Sequence, residues 1–249
     1  MRPATRRSVS RLVAFLLLLS LPACGGGSEP SAPPAGSRPV SFTSSDGVEL
    51  EGRLSGGGTV AVVLSHMYPA DQSSWWPFAD ALSDEGYLVL TYNFRGYCPG
   101  GEAGCSEGPK DIAEIWRDVL GAISFVRSQG AKRVMLIGAS MGGTASLIAA
   151  GQEEADVSAV VTLSAPTSFG GLAVDADGLA AVGAAKLFIA GVGDGSAAAS
   201  AEDLYERSPP PKRLEILTTD DHGTDILSGN QAGPVRTLIL EYLDRYASR

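Results

Sequence analysis

The chain has 249 residues, 44% of them hydrophobic, with 19 Lys and Arg against 28 Asp and Glu and a formal net charge of −9. The pI is near 4.7, and no basic patch follows the first residues, which argues against nucleic acid as a partner. With two histidines and three cysteines in the whole sequence, no metal and no cofactor are expected.

The first residues, Met1-Arg2-Pro3-Ala4-Thr5-Arg6-Arg7, are basic, and an apolar run from Leu12 to Leu21 follows. A basic start, a short apolar run and a small residue before a cleavage point read as an export signal over residues 1–23. The run is too short to span a bilayer as a mature helix. The junction Leu21-Pro22-Ala23-Cys24 resembles a bacterial lipoprotein box. That resemblance implies a lipidated Cys24 as mature N-terminus and anchorage on the extracytoplasmic side of the cell membrane. An ordinary secretory signal with an incidental cysteine is the alternative. Residues 24–38, rich in Gly, Pro and Ser, read as a flexible tether, leaving 39–249 as one domain. Outside a reducing cytosol, Cys98 and Cys105 are expected to close a disulfide over Pro99–Gly104, with two free thiols as the alternative.

Along the domain, apolar runs mark strands at 40–43, 47–54, 59–65, 87–92, 132–138, 157–163, 186–191 and 213–218. Ser44-Ser45-Asp46-Gly47 joins the first two as a hairpin, so the sheet begins antiparallel. Continuous runs such as Val60-Ala61-Val62-Val63-Leu64 are the mark of central parallel strands covered on both faces. Helical spacing predicts helices over 74–85, 110–128 and 233–247; in the second, Ile112, Ile115, Trp116, Val119, Ile123 and Val126 share one stripe. This alternation defines an α/β domain with a mostly parallel sheet of about eight strands and helices on both faces.

Val134-Met135-Leu136-Ile137 runs into Gly138-Ala139-Ser140-Met141-Gly142 and then into a small-residue segment, 143–150. Strand, sharp turn and helix with a serine at the apex is the setting of a nucleophile. With 31 glycines, the pattern G-x-S-x-G arises by chance roughly 0.4 times in such a chain. A second copy stands at Gly104-Cys105-Ser106-Glu107-Gly108. No apolar run precedes it and Pro109 follows, so context selects Ser140.

A serine hydroxyl needs a base, and the choice is between His66 and His222. His222 follows the last strand, which places it at the same sheet edge as Ser140. Asp194, just past the strand 186–191, is the acid expected to hold the ring; Asp220, Asp221 and Asp225 are nearer in sequence but poorly placed to reach back to it. The order Ser140, Asp194, His222 is similar to that of the α/β-hydrolase superfamily. Ser65-His66-Met67-Tyr68 resembles its His-Gly loop, Asn93-Phe94-Arg95-Gly96-Tyr97 its Arg-Gly loop, and Cys105-Ser106-Glu107-Gly108 a displaced glycine-serine-glycine segment. The resemblance covers residues 40 to 249. It implies a supporting role for His66 and a structural or rim position for Ser106. It also implies an oxyanion hole from the backbone N–H of Met141 and one of Met67 or Tyr68, although Met67 stands where glycine is usual. The 22 or so residues between Leu163 and Lys186 imply an open site with a minimal lid, and Tyr68, Trp75, Trp76, Tyr97 and Phe169 are candidates to line it. The function implied is hydrolysis of an ester or related acyl bond in a small-molecule substrate. A peptidase, an acyltransferase or a non-catalytic binding lipoprotein are the alternatives.

Overall fold

The computed structural model describes Met1 and residues 31–247; the rest of the expected export signal, 2–23, and Cys24 lie outside the described residues. Ten strands and six helices follow one another: β1 Arg38–Thr43, β2 Glu49–Gly56, β3 Val60–Ser65, α1 Trp76–Asp84, β4 Leu88–Tyr92, α2 Trp116–Ser128, β5 Arg133–Ala139, α3 Met141–Ala150, β6 Ala159–Leu163, β7 Ser168–Phe169, β8 Leu172–Ala173, α4 Ala176–Ala181, β9 Ala185–Gly191, α5 Ala197–Arg207, β10 Lys212–Leu217 and α6 Ala232–Ala247. Eight strands form one sheet in the order β1-β2-β4-β3-β5-β6-β9-β10. β1 pairs antiparallel with β2, and β2 with β4; the pairs from β4 through β3, β5, β6 and β9 to β10 are parallel.

Alternation along the central strands divides the interior into two cores. Ala61 and Val63 of β3 with Val134 and Leu136 of β5 join the apolar faces of α2, α3 and α5. Val62, Leu64, Met135 and Ile137 join Phe78 and Leu82 of α1 and Ile239 and Leu243 of α6. Strands buried on both faces have no polar register, which is why they are continuous apolar runs in the sequence.

All eight sheet strands lie where the sequence predicts them, within one or two residues. Four local features differ. The predicted helix 74–85 starts as a 3₁₀ turn, Gln72–Trp75, capped by the Asp71 side chain, which accepts the Ser73 N–H at 2.8 Å. The predicted helix 110–128 is a 3₁₀ turn, Ile112–Glu114, followed by α2. Ile112 and Ala113 lie directly against Gly170 and Gly171, and this tertiary contact displaces the first turn from the helix. α5 has no counterpart among the predicted helices. Finally, the last tether residues dock: Ala35 N–H donates to Asp80 Oδ1 at 2.9 Å and Arg53 Nε to Ser37 Oγ at 3.1 Å.

The segment between β6 and β9 is a two-stranded hairpin, β7–β8, and the six-residue α4, a minimal lid. Cys98 and Cys105 form a disulfide. The loop it closes presents Ala103 O to Gln72 Nε2 at 2.7 Å and to Asn93 Nδ2 at 2.6 Å, fastening it behind the loop that leaves β4. Among the described residues no helix is long and apolar enough to cross a membrane.

Candidate active site

Parallel strands bring their C-terminal ends to one edge of the sheet. There β5 ends and the chain reverses at Ser140 with φ 47° and ψ −118°. Left-handed backbone at a non-glycine residue costs about 1–3 kcal/mol and persists only where its surroundings fix it. They do so here. Ser140 N–H donates to Leu163 O at 2.7 Å, and Ser140 O accepts the N–H groups of Gly143 and Thr144 at 2.9 and 3.1 Å. A side chain on Gly142 would strike the carbonyl oxygens of Ser65 and His66, and one on Gly138 would strike Gly142. Both glycines of the motif are therefore demanded by close backbone approach. The other copy of the motif does different work: Ser106 Oγ donates to Asn93 O at 2.7 Å and accepts the Glu51 N–H at 2.9 Å, a buried cross-link between β2 and the loop after β4.

β9 and β10 deliver the other two groups. His222 Nδ1 lies 2.9 and 2.8 Å from the two carboxylate oxygens of Asp194. A carboxylate only accepts, so Nδ1 carries a hydrogen toward Asp194. The Asp194 side chain is 12% exposed and that of His222 41%. Of the rival carboxylates, Asp221 is occupied by Thr219, whose Oγ1 donates to its Oδ2 at 2.8 Å, and the ion pair of the ring is with Asp194. Ser140, Asp194 and His222 line one cleft of about 300 Å³ with Tyr68, Ser164 and Phe169 among their neighbours. Among its lining residues Asp194 carries the one formal charge besides what His222 can acquire. A second groove, of about 570 Å³ between β10 and α6, is lined by Arg213, Glu215, Thr237 and Glu241 but by no serine, cysteine or histidine.

Of the five aromatic candidates, Tyr68 and Phe169 line the cleft, their ring centroids 5.7 Å apart. Trp75, Trp76 and Tyr97 do not; all three are buried. The two tryptophans fall at the junction of the 3₁₀ turn with α1, whose apolar side faces the sheet, and Tyr97 packs on the His66 ring. Met141 opens α3, and the N–H groups of Met141, Met67 and Tyr68 make no hydrogen bond among the described residues. Ser164, at the end of β6 with φ 55°, is a cleft residue that the sequence reading passed over; its place just past a strand end was the available signal.

His66 is fully buried. Its Nδ1 is 2.9 Å from Met67 O, and its Nε2 accepts the Phe94 N–H at 3.1 Å. An accepting Nε2 requires a neutral ring that donates from Nδ1. Burial lowers its pKa to about 4, against the pull of the Met67 hydrogen bond. Because the folded value lies below that of the unfolded chain, the ring's contribution to stability is complete above pH 6.5 and is lost as the pH falls toward 4. The stability advantage of wild type over His66→Gln is expected to shrink by about 3 kcal/mol between pH 7 and 4, measured by urea unfolding at each pH. An advantage independent of pH would show that His66 is not held neutral.

Among the described residues no three His, Cys, Asp or Glu side chains are grouped to hold a metal ion. What the sheet order, the strained serine turn and the Asp194–His222 pair define is a hydrolase-type α/β fold. A family model described as alpha/beta hydrolase fold matches residues 60–227, and the chain belongs to that family. An esterase of Pyrococcus furiosus, Pf2001, superposes with a TM-score of 0.68 over 84% of this chain and 92% of its own, at 19% identity. A dienelactone hydrolase from Anabaena variabilis gives 0.67 over 84% and 98%, at 23% identity. In sequence, the protein YfhR of Escherichia coli O157:H7 is 28% identical over 123 residues. That match covers 45% of this chain and 41% of YfhR, so the chain spans about two fifths of that relative.

Proposed function

We propose that the protein is a serine hydrolase that cleaves a carboxylic ester or related acyl bond in a neutral small molecule. The observation that carries this reading is the meeting, in one cleft, of a serine on a strained strand-to-helix turn and a histidine whose Nδ1 is engaged by a carboxylate. Ser140 Oγ attacks the substrate carbonyl as His222 Nε2 takes its proton; the oxyanion is held by the N–H of Met141 and by that of Met67 or Tyr68. Collapse of the tetrahedral adduct expels the alcohol, which leaves with the proton from His222. Water, deprotonated by the same nitrogen, then releases the acid and restores Ser140. Asp194 keeps the proton on Nδ1 and stabilises the imidazolium. A cleft without cationic side chains suits an uncharged ester. Two relatives bear the names esterase and dienelactone hydrolase, and a lactone is itself an ester. The protein acts on the extracytoplasmic side of the membrane, tethered through a lipidated Cys24.

A fluorophosphonate probe tests both parts. Wild type and Ser106→Ala are expected to label and Ser140→Ala not to; the labelled band should move from the membrane to the soluble fraction in Cys24→Ala. Labelling that survives Ser140→Ala would overturn the nucleophile, and folded wild type that does not label would point to a binding protein on a hydrolase fold.

A further inference from the structure

The turn that carries His222 is seated on three other strand ends. Gly223, the next residue, adopts φ 57°. Its N–H donates to Ser164 Oγ, beyond β6, at 3.1 Å. The methyl of Ala139, beside the nucleophile, faces it from a second side, and the Met67 sulfur fills the space where any side chain on Gly223 would project. The hydroxyl of Thr224 donates to the same sulfur at 3.7 Å. Met67 is thus bound to residues on both sides of one peptide unit directly after His222. It is itself fixed through its carbonyl, which accepts the His66 Nδ1–H at 2.9 Å, while His66 Nε2 holds the Phe94 N–H.

We propose that the Met67 side chain positions His222, bracing from the loop after β3 the turn that Ser164 holds from the end of β6. The inference rests on the reading of His222 as the general base. Its logic is geometric. His222 is 41% exposed and anchored at one ring nitrogen, so a carboxylate at Nδ1 leaves the ring free to swing about that bond. The backbone of the turn must then be fixed by something else. From another strand end, Ser164 Oγ anchors the turn at the Gly223 N–H, and the long flexible side chain of Met67 fills an irregular gap against Gly223 and offers sulfur to the Thr224 hydroxyl. Met67 is absent from the cleft lining, so its side chain acts through the histidine turn and not on substrate. The arrangement joins the two halves of the site: the backbone of Met67 belongs to the loop that offers oxyanion donors, and its side chain steadies the base. Leucine matches its volume without the sulfur, whereas alanine opens a void beside Gly223.

The test uses two readouts. Met67→Ala is expected to lower kcat toward a neutral ester about 100-fold, as small misplacements of a reacting group do, with KM changed by less than about twofold; Met67→Leu should recover most of the loss. Because His66 and His222 are the two histidines of the chain, imidazole NMR reads the base directly. In Met67→Ala the His222 ring signals should shift or broaden. Unchanged His222 signals in Met67→Ala would overturn the proposal, as would a raised KM with kcat intact, which would make Met67 a substrate contact. Failure of the hydrolase reading is seen separately, as turnover that persists in Ser140→Ala, and the NMR result then still decides what Met67 does to His222.

Discussion

Ser140→Ala is expected to lower kcat for an ester substrate by about 10⁶-fold, and Asp194→Asn by about 10⁴-fold, with both variants folded. The two losses have different origins. Alanine removes the atom that attacks. Asparagine keeps the volume beside His222 but turns an acceptor into a group that can donate to Nδ1, and the ring answers by carrying its proton on Nε2. The nitrogen required to take the Ser140 proton is then already occupied. In the proposed triad the three residues act as one unit, so the double variant should be no slower than Ser140→Ala alone. Steady-state kinetics with circular dichroism as a check on folding decides the matter. If Asp194→Asn keeps turnover within about tenfold of wild type, Asp194 is not the orienting acid, and Asp221 becomes the carboxylate to test.

The parts of this site that were legible in the sequence are those created by strand ends. Ser140, Asp194 and His222 each follow an apolar run, and a parallel sheet gathers such positions on one edge whatever lies between them. The decoy Ser106 was separable for the same reason, because no strand precedes it. α5 was not legible: its buried face consists of Ala197, Ala201 and Leu204, too little apolar contrast for a helical stripe to stand out. The early start assigned to α2 failed because Ile112 and Ala113 have the spacing of a helix but meet the hairpin glycines, a partner that periodicity cannot see. Trp75 and Trp76 drew attention as large aromatics near a functional loop, yet their burial followed from the turn before α1. Met67 is the sharpest case. Its identity was noticed as a departure from glycine, but only the folded chain shows that its sulfur meets the turn after His222.

A second large effect is expected away from the cleft: Asp118→Ala should cost about 3–5 kcal/mol of stability, read as a fall in the urea midpoint at constant slope. Arg95 and Asp118 have side chains 5% and 0% exposed. Asp118 accepts from the Arg95 backbone N–H at 2.9 Å and from Nε and Nη2 at 2.9 and 2.6 Å; the guanidinium also binds Asp46 of the β1–β2 turn at 2.9 and 2.7 Å. Burial pushes Asp118 up to about 6 against the pull of Arg95, whereas hydrogen bonds from Arg95 hold Asp46 down near 2; at neutral pH all three groups are charged. Alanine at 118 strands the guanidinium with one partner and leaves the Arg95 N–H buried and unpaired. Arg95→Met combined with Asp118→Leu should recover a large part of the loss, since two apolar groups have no charge to leave uncompensated. A cost below about 1 kcal/mol for Asp118→Ala would mean that solvent or Asp46 already carries the arginine. The damage should also reach catalysis. Arg95 adjoins Phe94, whose N–H holds His66, which holds the carbonyl of Met67. The Arg95–Asp118 ion pair therefore supports the loop from which both the proposed oxyanion donor and the proposed brace of His222 project, and kcat in Asp118→Ala should fall even in the fraction that remains folded.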